Sequence, residues 1–160
     1  MEGVKPEDIQ YQKHHIPGYK EIGYHFIFNI KMDIKFTEKS RLVANGHETE
    51  YLPKWDTYSL VVSQDSLRIA LLYAALKDLD ILSCNISNSY LGSPCGDKLW
   101  TVSGKEFGSL SGAPMRINIA LYGLKSSGNS WNKALSITLS SMNFEPNRVD
   151  SDIWLGCLLM

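Results

Sequence analysis

Apolar and polar side chains alternate from Gly23 to Lys31, which predicts a strand with one buried face. The apolar positions in step are Tyr24, Phe26, Phe28 and Ile30. A second extended run, Arg41 to Ala44, ends at the turn-forming pair Asn45-Gly46. Together the two runs predict an antiparallel pair of strands.

Two helices are predicted further along the chain. Leu67 to Leu76 is apolar almost all round and follows the N-cap candidates Ser63 and Asp65, which predicts a buried helix. Ser130 to Met142 has helical spacing with an apolar stripe and a polar face, which predicts an amphipathic helix. The stripe consists of Trp131, Leu135, Thr138, Leu139 and Met142, and the polar face of Asn132, Lys133, Ser136 and Ser140.

Short apolar runs bounded by turn residues predict three more strands. Ile81 to Ile86 has the character of an internal strand, and Lys98 to Val102 and Met115 to Leu121 are separated by a loop that contains glycine and serine. The pairing of these strands stays open. A mostly antiparallel sheet with helices packed on one face gives an α+β fold class.

The composition is typical of a globular protein and bears on its binding partners and its cellular location. The 160 residues are 44% hydrophobic and 21% charged, enough to form one core without a metal or disulfide staple. A net charge of -1 provides no overall field for nucleic acid, so such binding must use local groups. Three cysteines without CxxC spacing, and a start without the apolar core of a signal peptide, predict an intracellular protein, cytoplasmic or nuclear, that is not secreted.

Three motifs occur in one order along the chain. Residues 39–46 are Lys-Ser-Arg-Leu-Val-Ala-Asn-Gly, residues 84–91 are Cys-Asn-Ile-Ser-Asn-Ser-Tyr-Leu, and residues 121–131 are Leu-Tyr-Gly-Leu-Lys-Ser-Ser-Gly-Asn-Ser-Trp. Ser-Asp-Ile-Trp follows at residues 151–154. These motifs resemble, in order, the fingers hairpin, the first catalytic strand and the Leu-Tyr-Gly-Leu-Lys motif of copia-type retrotransposon reverse transcriptases, which are RNA-directed DNA polymerases.

The resemblance covers Pro17 to Leu155 and implies the fingers and a partial palm of such a polymerase within residues 17–155. Residues 1–16 are then an N-terminal extension, and residues 156–160 an apolar C-terminal tail at a truncation. The family places a Tyr-x-Asp-Asp hairpin shortly after the Ser-Asp-Ile-Trp region, and this motif does not occur in the 160 residues. The rest of a polyprotein is therefore expected to be missing.

The family's chemistry resembles a two-metal scheme, in which carboxylates from different strands hold two Mg²⁺ ions. Asn85 falls on the family's metal-binding Asp position, so a neutral amide replaces a full ligand charge. In a strand, Ser83 and Ser87 would share its face and bring no charge either. The resemblance thus implies a catalytically inactive nucleotidyltransferase remnant, with no intact metal site and no productive Mg²⁺ binding.

Five positions match nucleotide-binding residues of the family. Lys39 and Arg41 match the fingers contacts to the triphosphate, and Tyr90 matches the side chain that packs under the sugar and discriminates against a 2′-hydroxyl. Gly123 and Lys125 match the loop that supports the template base and the incoming nucleotide. Without the resemblance, these residues read as a basic strand edge, a core tyrosine and a helix-entry turn.

Two alternatives remain open beside the inactive polymerase. One is a non-catalytic module with weak, salt-sensitive affinity for a nucleotide or an RNA/DNA template-primer. The other is a prenylated interaction protein, because Cys157-Leu158-Leu159-Met160 fits the C-a-a-X pattern. The preceding residues 148–156 lack the polybasic character that would reinforce anchoring, and membrane contact is expected only if Cys157 is prenylated.

Overall fold

The computed structural model describes residues 16–30, 36–49, 57, 59 and 61–156. These residues fall into two compact units. The first contains the described residues up to 57 together with residues 89–131, and the second contains the described residues between 59 and 88 together with residues 132–156. Both helices and small, mainly antiparallel sheets are present, as an α+β fold requires.

The first unit begins with strand β1, Lys20–Glu21, and a hairpin made of β2, Tyr24–Ile30, and β3, Glu38–Ala44. The hairpin pairs antiparallel along its whole length, from Tyr24 opposite Ala44 to Ile30 opposite Glu38. The predicted strand pair is therefore confirmed. The predicted buried face is wrong for the far half of β2, because Phe28 is 77% exposed and the hairpin extends beyond the core there.

The core of the first unit is a three-stranded sheet in the order β1-β4-β5, where β4 is Pro94–Val102 and β5 is Pro114–Ile119. Strand β4 pairs parallel to β1 and antiparallel to β5, which supplies the pairing that the pattern left open. Its buried cluster joins the sheet to the hairpin end and to the segment after β5. The cluster consists of Ile22, Ala44, Leu99, Ile117, Leu121 and Leu124.

A hydrogen-bonded clamp links the start of β2 to the loop between β4 and β5. This loop contains a 3-10 helix, Lys105–Leu110. The Tyr24 hydroxyl donates to the Glu106 carboxylate and accepts from the Gly104 N–H at 2.6 Å. The ring of Tyr24 also meets Phe107 edge to face, with 6.1 Å between centroids. One aromatic side chain thus fastens a loop about eighty residues away in sequence.

Helix α1 of the second unit spans Gln64–Leu76, so the predicted helix is confirmed. Ser63 caps it as predicted, accepting from the Ser66 N–H at 3.0 Å. The predicted burial is wrong: none of its residues is buried, and Ile69 is 68% exposed. An all-round apolar helix is buried only where neighbouring elements cover it, and the described residues provide no such cover for α1.

The predicted internal strand from Ile81 to Ile86 is also wrong, because this segment is irregular and exposed. A strand needs hydrogen-bonding partners for its backbone, and no described residue pairs with this run. Apolar composition alone therefore did not determine its conformation.

The amphipathic helix is confirmed as α2, Ser127–Ser141, of which residues 127–131 belong to the first unit. Trp131, Leu135 and Leu139 are half-buried, whereas Lys133 and Ser140 are exposed, as predicted. The predicted faces are wrong at four positions, because Thr138 and Met142 of the stripe are exposed and Asn132 and Ser136 of the polar face are half-buried. The second unit ends in a short antiparallel pair, β6 at Phe144–Pro146 and β7 at Trp154–Gly156. None of the helices in the described part of the chain has the length and apolar character needed to span a bilayer.

Candidate functional site

The end of the hairpin packs against the segment that follows β5. Ala44 N–H donates to the Tyr122 carbonyl at 2.8 Å, and Val43 forms an isolated parallel bridge with Tyr122. Gly123 has φ +90°, a conformation that L side chains rarely adopt. A Cβ at Gly123 would collide with the Ala44 carbonyl oxygen, and a Cβ at Gly46 with the Gly123 carbonyl oxygen. Two glycines thus allow two backbones to touch.

Tyr122 brings two of the predicted nucleotide-binding residues together. The Arg41 guanidinium lies 5.7 Å from the centroid of the Tyr122 ring, within cation–π range. The Tyr90 ring lies 5.2 Å from the same ring, tilted by 51°. Arg41 therefore comes from β3, Tyr90 from the 3-10 helix Ser89–Gly92, and both contact the residue that precedes Gly123.

Arg41 has a charge without a described counterion. Its Nε is buried and has no hydrogen-bond partner. Among the described residues the ion pairs are His47 with Glu48 and Arg68 with Asp65, so no described carboxylate neutralises Arg41. A buried guanidinium nitrogen without an acceptor is costly unless a ligand or solvent satisfies it. Arg116, in the same unit, also has a buried Nε without a partner, so it is the family resemblance that distinguishes Arg41 as the predicted anion-binding group.

The two predicted lysines have different surroundings. Lys125 Nζ donates to the Thr49 carbonyl at 3.2 Å and so ties the helix-entry turn to the segment after β3. Lys39 lies two residues before Arg41 on β3, which places both on one face of the strand. Lys39 is half-buried and opposite Asn29 in the hairpin register. Their contacts to a triphosphate stay predictions.

Tyr122 was not among the residues predicted for the site. It lies inside the Leu-Tyr-Gly-Leu-Lys motif that carried the resemblance, but only Gly123 and Lys125 of that motif were assigned a role. A tyrosine between apolar residues gives no local indication of a partner 81 positions earlier, since the contact depends on how the hairpin packs. The motif itself was the available signal.

Asn85 lies in the second unit, within the irregular segment that precedes the 3-10 helix Ser89–Gly92. Its side chain is exposed, as are those of Ser83 and Ser87. The expectation that these three residues share one strand face is wrong, because the segment forms no strand. The assignment of Asn85 to the family's Asp position stays a prediction from the motif.

The residues around position 85 do not fit a magnesium site. The amide of Asn85 and the serine hydroxyls are neutral, whereas Mg²⁺ selects anionic oxygens in a near-octahedral arrangement. Asp78 and Asp80 precede them in the same exposed segment. Within the described ranges, no group of three His, Cys, Asp or Glu side chains could hold a metal ion.

Comparison with known proteins identifies the family. The family model described as "Reverse transcriptase (RNA-dependent DNA polymerase)" matches residues 11–157. A curated relative, the "Truncated transposon Ty1-A Gag-Pol polyprotein" of Saccharomyces cerevisiae, is 31% identical over 126 residues. The match covers 78% of this chain but 10% of the relative, so the chain spans about a tenth of that relative's length. No solved structure matches. The chain therefore belongs to the reverse transcriptase family, as its copia-type motifs predict.

Proposed function

We propose that this chain is the fingers and part of the palm of a copia-type reverse transcriptase that does not catalyse nucleotide addition but keeps a nucleotide-binding surface at Arg41. It corresponds to the reverse transcriptase portion of a Gag-Pol polyprotein like its yeast relative. Family membership and motif order support the RNA-directed DNA polymerase descent. The contact of Arg41 and Tyr90 with Tyr122 is the observation that carries the binding function.

The loss of catalysis follows from Asn85. An amide oxygen carries no formal charge, so an Asp-to-Asn change at a metal-binding position removes one of the few anionic ligands that Mg²⁺ needs. Polymerase chemistry of the two-metal type uses the ions to stabilise the attacking and leaving oxygens. Without that charge the reaction loses its main electrostatic stabilisation, even if the surface at Arg41 still binds a nucleotide.

Primer extension tests this part of the proposal. A polypeptide of these 160 residues is incubated with a primed RNA or DNA template, dNTPs and either Mg²⁺ or Mn²⁺, and the products are resolved by length. We expect no incorporation. We also expect none from Asn85→Asp, because the 160 residues contain no Tyr-x-Asp-Asp to supply further carboxylates. Template-directed extension by the unmodified polypeptide would refute the inactive assignment, and extension by Asn85→Asp alone would leave position 85 as the sole defect.

The binding function rests on the charge of Arg41. A guanidinium that lacks a described carboxylate partner, and whose Nε lacks an acceptor, can pair with phosphate without first breaking an ion pair to any described residue. Its planar fork suits the bidentate geometry of phosphate oxygens. Because phosphate contact releases counterions, the affinity should fall as salt rises. The overall charge of -1 keeps that affinity modest.

Titration of fluorescent dNTP or single-stranded oligonucleotide at low and high salt measures this binding. We expect Arg41→Ala to weaken binding and to flatten the salt dependence, and Lys125→Ala to do so less strongly because Lys125 also holds the Thr49 carbonyl. Arg68→Ala is the matched control, since it removes the same charge from an exposed arginine of the second unit. Equal effects of Arg41→Ala and Arg68→Ala, or no binding at low salt, would overturn the binding function.

The prenylated alternative depends on Cys157, which lies outside the described residues. Mass spectrometry of the C-terminal peptide detects an added isoprenoid directly, and its absence from protein made in prenylating cells removes this alternative. We propose an intracellular location whether or not Cys157 is prenylated. The described cysteines Cys84 and Cys95 are free thiols, which supports a reducing compartment.

A further inference from the structure

Tyr122 contacts both ends of the proposed nucleotide surface. Arg41 stands over its ring, and Tyr90 packs against the same ring. The motif resemblance predicts that Arg41 lies on the phosphate side of a bound nucleotide and Tyr90 on the sugar side. One aromatic residue therefore joins two groups whose relative position would decide how a nucleotide fits.

The backbone fixes where Tyr122 lies. Its carbonyl accepts from Ala44 N–H at 2.8 Å, and the bridge to Val43 holds the same peptide against β3. The next residue, Gly123, reaches this position because it has no side chain to collide with Ala44. The ring of Tyr122 is thus anchored next to the strand that carries Arg41.

The ring in turn restricts Arg41. An arginine side chain has many rotamers, and fixing it costs entropy unless a contact already selects one. Contact with an aromatic face limits that freedom before a ligand arrives, and the guanidinium can still donate hydrogen bonds in its own plane. Preorganisation of this kind improves affinity without adding a contact to the ligand.

We propose that Tyr122 is a positioning residue for nucleoside triphosphate binding, which holds the Arg41 guanidinium at a fixed place relative to Tyr90. The proposal rests on the nucleotide-binding function above. Tyr122 acts through its aromatic face, so its hydroxyl is dispensable. The residue need not touch the nucleotide itself.

Binding of a fluorescent dNTP in EDTA at low salt tests this role without any metal contribution. Tyr122→Phe keeps the face and should bind like the unmodified chain. Tyr122→Leu removes it and should weaken binding by about three- to tenfold, the range expected for loss of one cation–π contact. In the Arg41→Ala background, Tyr122→Leu should change the affinity less than twofold, because no guanidinium is left to position.

A second arginine–tyrosine pair in the same unit supplies the matched control. The Arg116 guanidinium lies 4.6 Å from the Tyr19 ring and donates to the Tyr19 hydroxyl. Tyr19→Leu should leave nucleotide affinity unchanged, although it removes an equivalent contact from the same fold. Equal losses in Tyr19→Leu and Tyr122→Leu would mean that both act through stability, and this would overturn the positioning role.

A ligand-free measurement separates this inference from the function on which it rests. In side-chain NMR spectra, the Arg41 Nε–H and δ protons should show an upfield ring-current shift that Tyr122→Phe retains and Tyr122→Leu abolishes. No shift in the unmodified chain overturns the inference even if dNTP binds. A shift without dNTP binding overturns the proposed function and, with it, the nucleotide role of Tyr122. The contact between Arg41 and the Tyr122 ring would then still be supported. Binding that is insensitive to Tyr122→Leu overturns the inference alone.

Discussion

Replacement of Gly123 by alanine should destabilise the first unit for two separable reasons. The first is conformational: at φ +90° an L residue in the left-handed region costs about 1–2 kcal/mol relative to glycine. The second is steric, because the new Cβ would meet the Ala44 carbonyl oxygen and would lie 2.8 Å from Val43 Cγ1. The hairpin end must then shift, and overpacking of this kind costs about 1–3 kcal/mol. The sum is about 2–5 kcal/mol.

Two other glycines isolate the two causes. Gly112 has φ +85°, and a Cβ added there would meet no other part of the fold within 4 Å, so Gly112→Ala carries the conformational cost alone, about 1–2 kcal/mol. Gly46 has no left-handed φ but would collide with the Gly123 carbonyl, so Gly46→Ala carries the steric cost alone, about 1–3 kcal/mol. Gly123→Ala should therefore be the most destabilising of the three.

Urea unfolding followed by tryptophan fluorescence and circular dichroism measures these differences. Trp100 is 3% exposed in the core sheet and should report the unfolding of the first unit. The urea concentration at the unfolding midpoint should be lowered least by Gly112→Ala and Gly46→Ala and most by Gly123→Ala. The slopes of the free energy of unfolding against urea should be similar if the unfolded states expose similar surface. A Gly123→Ala variant no less stable than Gly112→Ala would refute the close packing of the hairpin against the Tyr122-Gly123 segment.

Two further substitutions probe each unit separately. Tyr24→Phe removes the hydroxyl that bonds Glu106, and this change should alter the pH dependence of stability. Burial, followed by that bond, raises the pKa of Tyr24 above 10.0, so the stabilisation is present below pH 10 and is lost as pH rises through the folded-state pKa. The same bond lowers the pKa of Glu106 below 4.5, so the stabilisation is present above that value and is lost as pH falls through the folded-state pKa. The difference in melting temperature between the unmodified chain and Tyr24→Phe should therefore narrow at both extremes of pH, and a constant difference from about pH 3 to about pH 11 would contradict the clamp. In the second unit, Ser63→Ala should cost about 0.5–2 kcal/mol of helix stability while Ser63→Asn costs little, as followed by circular dichroism. Equal losses in both variants would argue against a side-chain cap.

The strands and helices were predictable where the sequence determines them locally. Alternation along Tyr24–Ile30 matches a pleated strand, and the turn residues after Ala44 mark the end of its partner. Helix α1 was predictable for the same reason, since Ser63 supplies a cap and the following residues favour a helix. These features depend on neighbours within a few positions along the chain.

Burial and pairing were not predictable, because both depend on what lies nearby in space. The apolar residues of α1 predicted a core position, yet the described residues leave Leu72 60% exposed. Ile81 to Ile86 has the composition of a strand, but strand formation requires a partner, and none of the described residues provides one. A run of apolar residues therefore indicates that a segment can form a buried helix or strand, but its neighbours in space determine whether it does.

The residues proposed for nucleotide binding and the residue at the proposed metal-binding position belong to different units, which the motifs alone do not indicate. Arg41, Tyr90, Tyr122 and Gly123 all belong to the first unit, whereas Asn85 belongs to the second. The contacts described for the Arg41 guanidinium use no residue of the segment that carries Asn85. Under the proposed function, an Asp-to-Asn change at position 85 would remove a metal ligand and leave the described contacts of Arg41 in place. The polypeptide would then fail to catalyse nucleotide addition and would still present an arginine, held by an aromatic ring, to the phosphates of a nucleotide.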